Sequence, residues 1–202
     1  VAVTNSYCTL ADLKASLRIT DGVDDAILEN AIESASDLIT GYANRSFLSS
    51  GSATRYFVPV DTRFVQIDDA QSVSEVKYSS HADGVYDATV TNYQTEPLNG
   101  RQDGIEWPIT AIRLTEVSGI YTTFPIVDDR AVVSVTGVWG WPSVPRPIKY
   151  AAIIQASRLF KRADSPMGVI SAPDMGFIRV GTKLDPDVAQ LVEPYRLTRF
   201  YA

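Results

Sequence analysis

Apolar residues recur at helical spacing near both ends of the chain and at strand spacing through its middle. Leu10, Leu13 and Leu17 share one face of a helix over Leu10–Arg18, opened by Thr9 with Asp12 three residues on, the spacing of a capping box. Thr20-Asp21-Gly22 breaks that helix and Asp24 opens a second. On it Leu28, Ala31, Ile32, Ala35, Ile39 and Tyr42 make an apolar stripe, and Asp25, Glu29, Glu33 and Asp37 an acidic face. Helices this short are marginal alone, so the hairpin must pack on the rest of the chain or on another subunit.

Between Ser49 and Gly140 the period changes to short alternating runs: Arg55–Val60, Phe64–Ile67, Val73–Tyr78, Ile109–Thr115 and Ala131–Val138. Turns fall at Asp61-Thr62, Ala82-Asp83-Gly84, Leu98-Asn99-Gly100 and Gln102-Asp103-Gly104. After Pro147 helical spacing returns in Ile148, Ala151, Ala152, Gln155, Ala156, Leu159 and Phe160. Ser165–Gly176 is rich in Pro, Gly, Ser and Met, Phe177–Val180 can extend, and Asp185-Pro186 starts a short helix that stops before Pro194. The expected fold class is α+β: a helical bundle from the N- and C-terminal helices with an inserted β-rich module, sandwich or barrel-like. Its expected parts are a helical hairpin over 1–48, the β-rich module over 49–142, a helix completing the helical core over 143–164 and an extended docking tail over 165–202.

Composition adds little to this and removes much. The chain has 202 residues, 45% apolar and 21% charged, which is ordinary for a soluble, cytosolic globular protein. No run approaches the roughly 20 apolar residues of a membrane span. Val1–Thr9 lacks a basic region followed by an apolar run, so neither secretion nor membrane anchoring is expected, and Val1 is read as following a removed initiator Met. One cysteine, Cys8, and one histidine, His81, supply neither a disulfide nor a zinc ligand set. Net charge is −6, but residues 1–142 carry 9 basic against 19 acidic side chains and residues 143–202 carry 9 against 5. The two ends are therefore expected to face different partners.

The candidate chemistry is thin. Adjacent carboxylates (Asp24-Asp25, Asp68-Asp69, Asp128-Asp129) suit turns and caps better than acid–base work, because neighbours on a strand point to opposite faces. His81 lies in a turn without a partner. Asp185-Pro186-Asp187 lacks the glycine and terminal glutamate of a calcium loop. No catalytic residue, cofactor or metal is expected. Trp139 and Trp141, with Gly140 between them, are expected to divide between core and interface; a carbohydrate-binding platform is the alternative, within a soluble β-sandwich module for a carbohydrate or protein ligand. Arg146, Lys149, Arg158, Lys161 and Arg162 could neutralise phosphates, but five cations on an acidic chain imply weak binding without sequence specificity.

Two stretches carry a family pattern. One is Tyr7-Cys8-Thr9-Leu10-Ala11-Asp12-Leu13-Lys14, with Asp24-Asp25 and Ala31-Ile32 through Ile39 to Arg45. The other is Val135-Thr136-Gly137-Val138-Trp139-Gly140-Trp141, followed by Pro147-Ile148-Lys149 and Ala151-Ala152. In this order they resemble the head-tail connector, or adaptor, proteins of long-tailed bacteriophages. The resemblance implies a virion protein at the head-tail interface, assembled in the host cytoplasm, without enzymatic activity and away from membranes. It implies a homo-oligomeric ring, with twelve copies expected, between the portal protein and a tail-side terminator or stopper, with viral DNA passing through the centre unread. The β-rich middle is expected to be an insertion relative to shorter, mostly helical members. Phe177, Arg179, Tyr195, Arg196, Arg199, Phe200 and Tyr201 are the expected portal-docking residues. Arg146, Lys149, Arg158, Lys161, Arg162, Asp25, Glu29 and Glu33 are expected at subunit contacts or the channel.

Overall fold

The Asp12 amide donates to the Thr9 hydroxyl at 3.1 Å and the Thr9 amide donates to the Asp12 carboxylate at 3.0 Å, closing the capping box that starts α1 (Leu10–Leu17). Arg18, in the left-handed region with φ 60°, ends it. The computed structural model describes residues 6–102, 105–116, 122–163, 169–172, 176–179 and 184–197. The chain forms two compact units, one from Val1–Phe47 with Val144–Phe200 and the other from Leu48–Ser143.

In the first unit α2 (Asp25–Ala43) and α3 (Arg146–Ala163) lie side by side, with α1 against both and α4 (Pro186–Val192) against α3 and α2. The two stripes expected to be apolar meet in its core: Leu28, Ile32, Ala35 and Ile39 from α2, with Ile148, Ala151, Ala152 and Ala156 from α3, are all fully buried. Burial of each Leu or Ile there contributes about 1.5–3 kcal/mol. Asp185 caps α4 by accepting the Asp187 amide at 2.8 Å, and Pro186 occupies the first turn, where its missing N–H costs nothing. Phe47 joins the ends of the chain, its ring edge-to-face with Tyr7 at 5.5 Å and with Tyr195 at 6.0 Å. β9 (Val169–Ala172) and β10 (Gly176–Arg179) pair as an antiparallel hairpin, so the segment read as extensible is a strand.

The second unit is built on one antiparallel sheet. Its strands are β1 (Ser49–Phe57), β2 (Phe64–Tyr78), β3 (Ala88–Thr89), β4 (Tyr93–Glu96), β7 (Ile109–Leu114) and β8 (Val133–Gly140). The order across it is β1-β8-β2-β7-β4, with β3 on β2; β5 (Arg101–Gln102) and β6 (Ile105–Glu106) form a separate small pair. Rather than the two sheets of the expected sandwich or a closed barrel, the six strands share one hydrogen-bonded sheet, five of them on a path that ends at β1 and β4 among the described residues and β3 branching from β2. The reason is β2. Its fifteen residues serve two partners, β7 from Phe64 to Ala70 and β8 from Ala70 to Tyr78, with register shifts on both sides of Ala70. Two predicted strands are therefore one. The core under the sheet holds Val65, Val76, Ile112, Leu114, Phe124, Val133, Val135 and Trp139.

Candidate subunit and partner surfaces

The residues expected to act on partners lie in the first unit, and α1 determines how many of their charges remain available. The Asp12 carboxylate accepts from the Thr9 amide and hydroxyl and from Lys149 Nζ at 2.9 Å. These bonds hold its carboxyl at about 2, the Thr9 hydroxyl acting most strongly and Lys149 next. Lys14 of α1 pairs with Asp25 at 2.6 Å. Cys8, buried beside this network, has its thiol pushed up to about 11, by burial first and by the Asp12 charge second, against the opposing pull of Lys149.

Arg158 pairs with Asp185, the buried cap of α4, whose amide also donates to Gln155 Oε1 at 3.4 Å. Arg162 is half-buried and has contacts within the chain. Of the five cations on α3, then, Lys149 and Arg158 are spent on carboxylates of their own chain, and Arg146 and Lys161 stand exposed without a carboxylate partner among the described residues. On α2, Asp25 is paired, while Glu29 is half-exposed and Glu33 and Asp37 are exposed.

The residues expected to dock a portal separate differently. Tyr195 is 7% exposed, packed on Phe47, and its carbonyl accepts from Arg45 Nη1 at 3.3 Å, so its ring serves the fold of its own unit. Arg196 is exposed, 5.5 Å over the Tyr42 ring and 3.7 Å from Glu193, and the Leu197 amide donates to the Ala43 carbonyl at 2.9 Å. Phe177 and Arg179 lie on β10. Arg199, Phe200 and Tyr201 lie outside the described residues. The tail is thus tied to α2 as far as Leu197.

Residues 7–95 match the family model described as Phage gp6-like head-tail connector protein. The head-tail connector likeness read in the sequence is therefore present. The matched segment holds α1, α2 and β1 to β3 and runs into β4, so it passes beyond the helical hairpin into the sheet; the second stretch that carried the resemblance, from Val135 to Ala152, lies outside it. Three solved structures share the fold over the whole chain. The neck of a native GTA particle computed with C12 symmetry has TM-score 0.56 at 15% identity, covering 100% of this chain and 94% of that one. The neck of an empty GTA particle computed with C6 symmetry has TM-score 0.55 at 16% identity, covering 100% and 95%. The virion of a native gene transfer agent particle has TM-score 0.52 at 17% identity, also covering 100% and 95%. No curated protein matches the chain by sequence.

The second unit bears on the alternative reading. Trp139 is fully buried, with its indole N–H donating to the Ala53 carbonyl at 2.7 Å, and Trp141 is 4% exposed, with its indole N–H donating to Asp69 at 2.9 Å. Both rings are enclosed within their own unit and offer no carbohydrate platform. Asp68, adjacent to Asp69 on β2, bonds Arg55 at 2.9 Å instead, so the pair diverges as neighbours on a strand must. His81 is exposed in its turn, its Nδ1 2.8 Å from the Ser80 hydroxyl.

The surface that sequence reasoning missed is a cleft of about 370 Å³ between α3 and α4, lined by Arg146, Pro147, Lys149, Tyr150, Ile153 and Leu191. Its signal was present. Tyr150 and Ile153 fall on the side of α3 opposite the buried Ile148, Ala152 and Ala156, so the helix is apolar on two sides.

Proposed function

We propose that this chain is a structural adaptor of a phage-type particle: a subunit of a homo-oligomeric ring at the head-tail interface, between portal and tail around the DNA channel, without catalytic activity. The connector match over residues 7–95 carries this reading. It is supported by full-length likeness to the neck structures of GTA particles, one computed with C12 and one with C6 symmetry. The C12 symmetry of one of them supports a ring of twelve copies. Helices from both ends of the chain form one bundle into which the β-rich module is inserted, and the module faces the tail or the outside, where a terminator or stopper protein binds. DNA slides through without being read or gripped, which suits a chain of net charge −6.

The portal contact falls on Arg196, on β10 with Phe177 and Arg179, and on Arg199, Phe200 and Tyr201. The test is the mass of the purified protein by light scattering, alone and with a portal ring. A high-copy ring on the portal is the expected result, and a chain that stays monomeric and ignores the portal overturns the reading. Removal of residues 198–202 should weaken portal binding while leaving the fold intact. A deletion from Phe177 onward is a poor test, because it also takes away the buried Val188, Val192 and Tyr195.

A further inference from the structure

Charge on the two long helices of the first unit is segregated by sign. α2 holds four acidic residues and no basic one; α3 holds five basic residues and no acidic one. Although these helices pack together, their charges are not paired with each other among the described ion pairs. Asp25 meets Lys14 of α1, Lys149 meets Asp12 of α1, and Arg158 meets Asp185. Arg162 has contacts within the chain. Half-exposed Glu29 and exposed Glu33 and Asp37 on one helix, and exposed Arg146 and Lys161 on the other, have no ion-pair partner among the described residues.

Each of these faces also carries apolar surface. On α2, Ile27 is 47% and Leu38 41% exposed, eleven residues apart on the same side of the helix and on the opposite edge of its outer face from Glu33 and Asp37. On α3, Tyr150 is 59% exposed at the mouth of the α3–α4 cleft, with Ile153 and Leu191 inside it and Arg146 at its rim. An apolar cleft with a cationic rim fits a helix whose exposed face is apolar along one edge and anionic along the other. Both helices are close to the same length, nineteen and eighteen residues, so the contact can run along them.

We propose that the α3–α4 cleft of one copy receives the outer face of α2 from the next, with Leu38 against Tyr150, Ile153 and Leu191, and Glu33 and Asp37 facing Arg146 and Lys161. This rests on the ring reading above and names the surface that would close the ring. The two patches are different parts of one unit, so the contact is head-to-tail and repeats from copy to copy until it closes. Like-signed helices would otherwise repel, which fixes the direction of the repeat.

The test uses two full-length variants, Arg146→Glu with Lys161→Glu, and Glu33→Lys with Asp37→Lys. All four positions are surface positions, so folding should persist, and circular dichroism melts check it. In sedimentation velocity with the portal ring present, each variant alone should self-associate at least about 100-fold more weakly than the unmodified chain. Mixed one to one they should recover, because every contact in an alternating ring again joins opposite charges. As a second measurement, Leu38→Cys and Tyr150→Cys proteins, mixed under mild oxidation, should give a disulfide-linked dimer that neither gives alone; Cys8 is buried and does not compete. Variants that assemble as well as the unmodified chain, or fail to recover on mixing, overturn this contact and leave the ring reading standing. An unmodified chain that never assembles takes both away.

Discussion

Gly137 of β8 lies so close to β2 that a Cβ placed on it would stand 2.2 Å from the Ser72 carbonyl oxygen. The obstacle is backbone in the middle of the sheet, where β8 is bonded on both sides, and it cannot turn away as a flexible side chain could. Gly137→Ala is therefore expected to cost on the order of 1–3 kcal/mol, read as a lowered urea midpoint. An unchanged midpoint would mean that β2 yields at its register shift.

Trp139→Ala should cost about 3–5 kcal/mol, because a fully buried indole leaves a cavity and the Ala53 carbonyl loses its donor. Thermal and chemical unfolding both report it. A loss well under 1 kcal/mol would place the ring outside the core.

Tyr195→Ala separates a structural role from a docking one. Loss of its edge-to-face contact with Phe47 should lower stability by about 2–4 kcal/mol in the free protein, before any partner is added. If the melting temperature is unmoved and only portal binding falls, the ring is a docking residue after all.

The Asp12 carboxyl is held at about 2 in the fold, below its ordinary 3.8. Its contribution to stability is thus fully present above about pH 4 and is lost as pH falls toward 2. Solvent reaches the group, so the loss is modest, about 1 kcal/mol or less. An Asp12→Ala variant should differ most from the parent near neutral pH and converge with it in acid. A gap that stays constant through that range would rule out the capping carboxylate as its source.

Cys8 should be nearly inert to thiol reagents in the native state. With its thiol at about 11, only about one molecule in ten thousand is ionised at pH 7, and the sulfur is buried as well. Labelling at the rate of an unfolded thiol would show that the segment before α1 opens readily.

Where the determinants of structure are local, the sequence was legible. Thr9 and Asp12, the Leu28–Ile39 stripe and Asp185-Pro186 each act within a few residues, and α1, α2 and α4 stand where their spacing predicts. The interior of β2 was not. Asp68, Asp69 and Gln71 read as a polar interruption between two strands, yet each is satisfied by a residue distant in the chain: Arg55, Trp141 and Ser49. The burial of Tyr195 was not legible for the same reason. An aromatic residue near the end of a basic tail reads as unpartnered until Phe47, contributed by the other end of the chain, is seen beneath it. On the candidate surface, the charges were legible but their internal pairing was not, since Lys149 and Arg158 are neutralised by Asp12 and Asp185 across helix contacts.

The place of β1 at the edge of the sheet has a consequence during synthesis. Its hydrogen-bonded neighbour is β8, and even their nearest paired residues, Phe57 and Val133, are about 75 residues apart in the chain. At ~5–20 residues per second, a ribosome leaves β1 waiting roughly 4–15 s for the strand it will join. A hydrophobic strand held open that long would invite other nascent chains. β1 instead begins Ser-Ser-Gly-Ser-Ala-Thr, a run with little to attract them, and its larger side chains come only at its end.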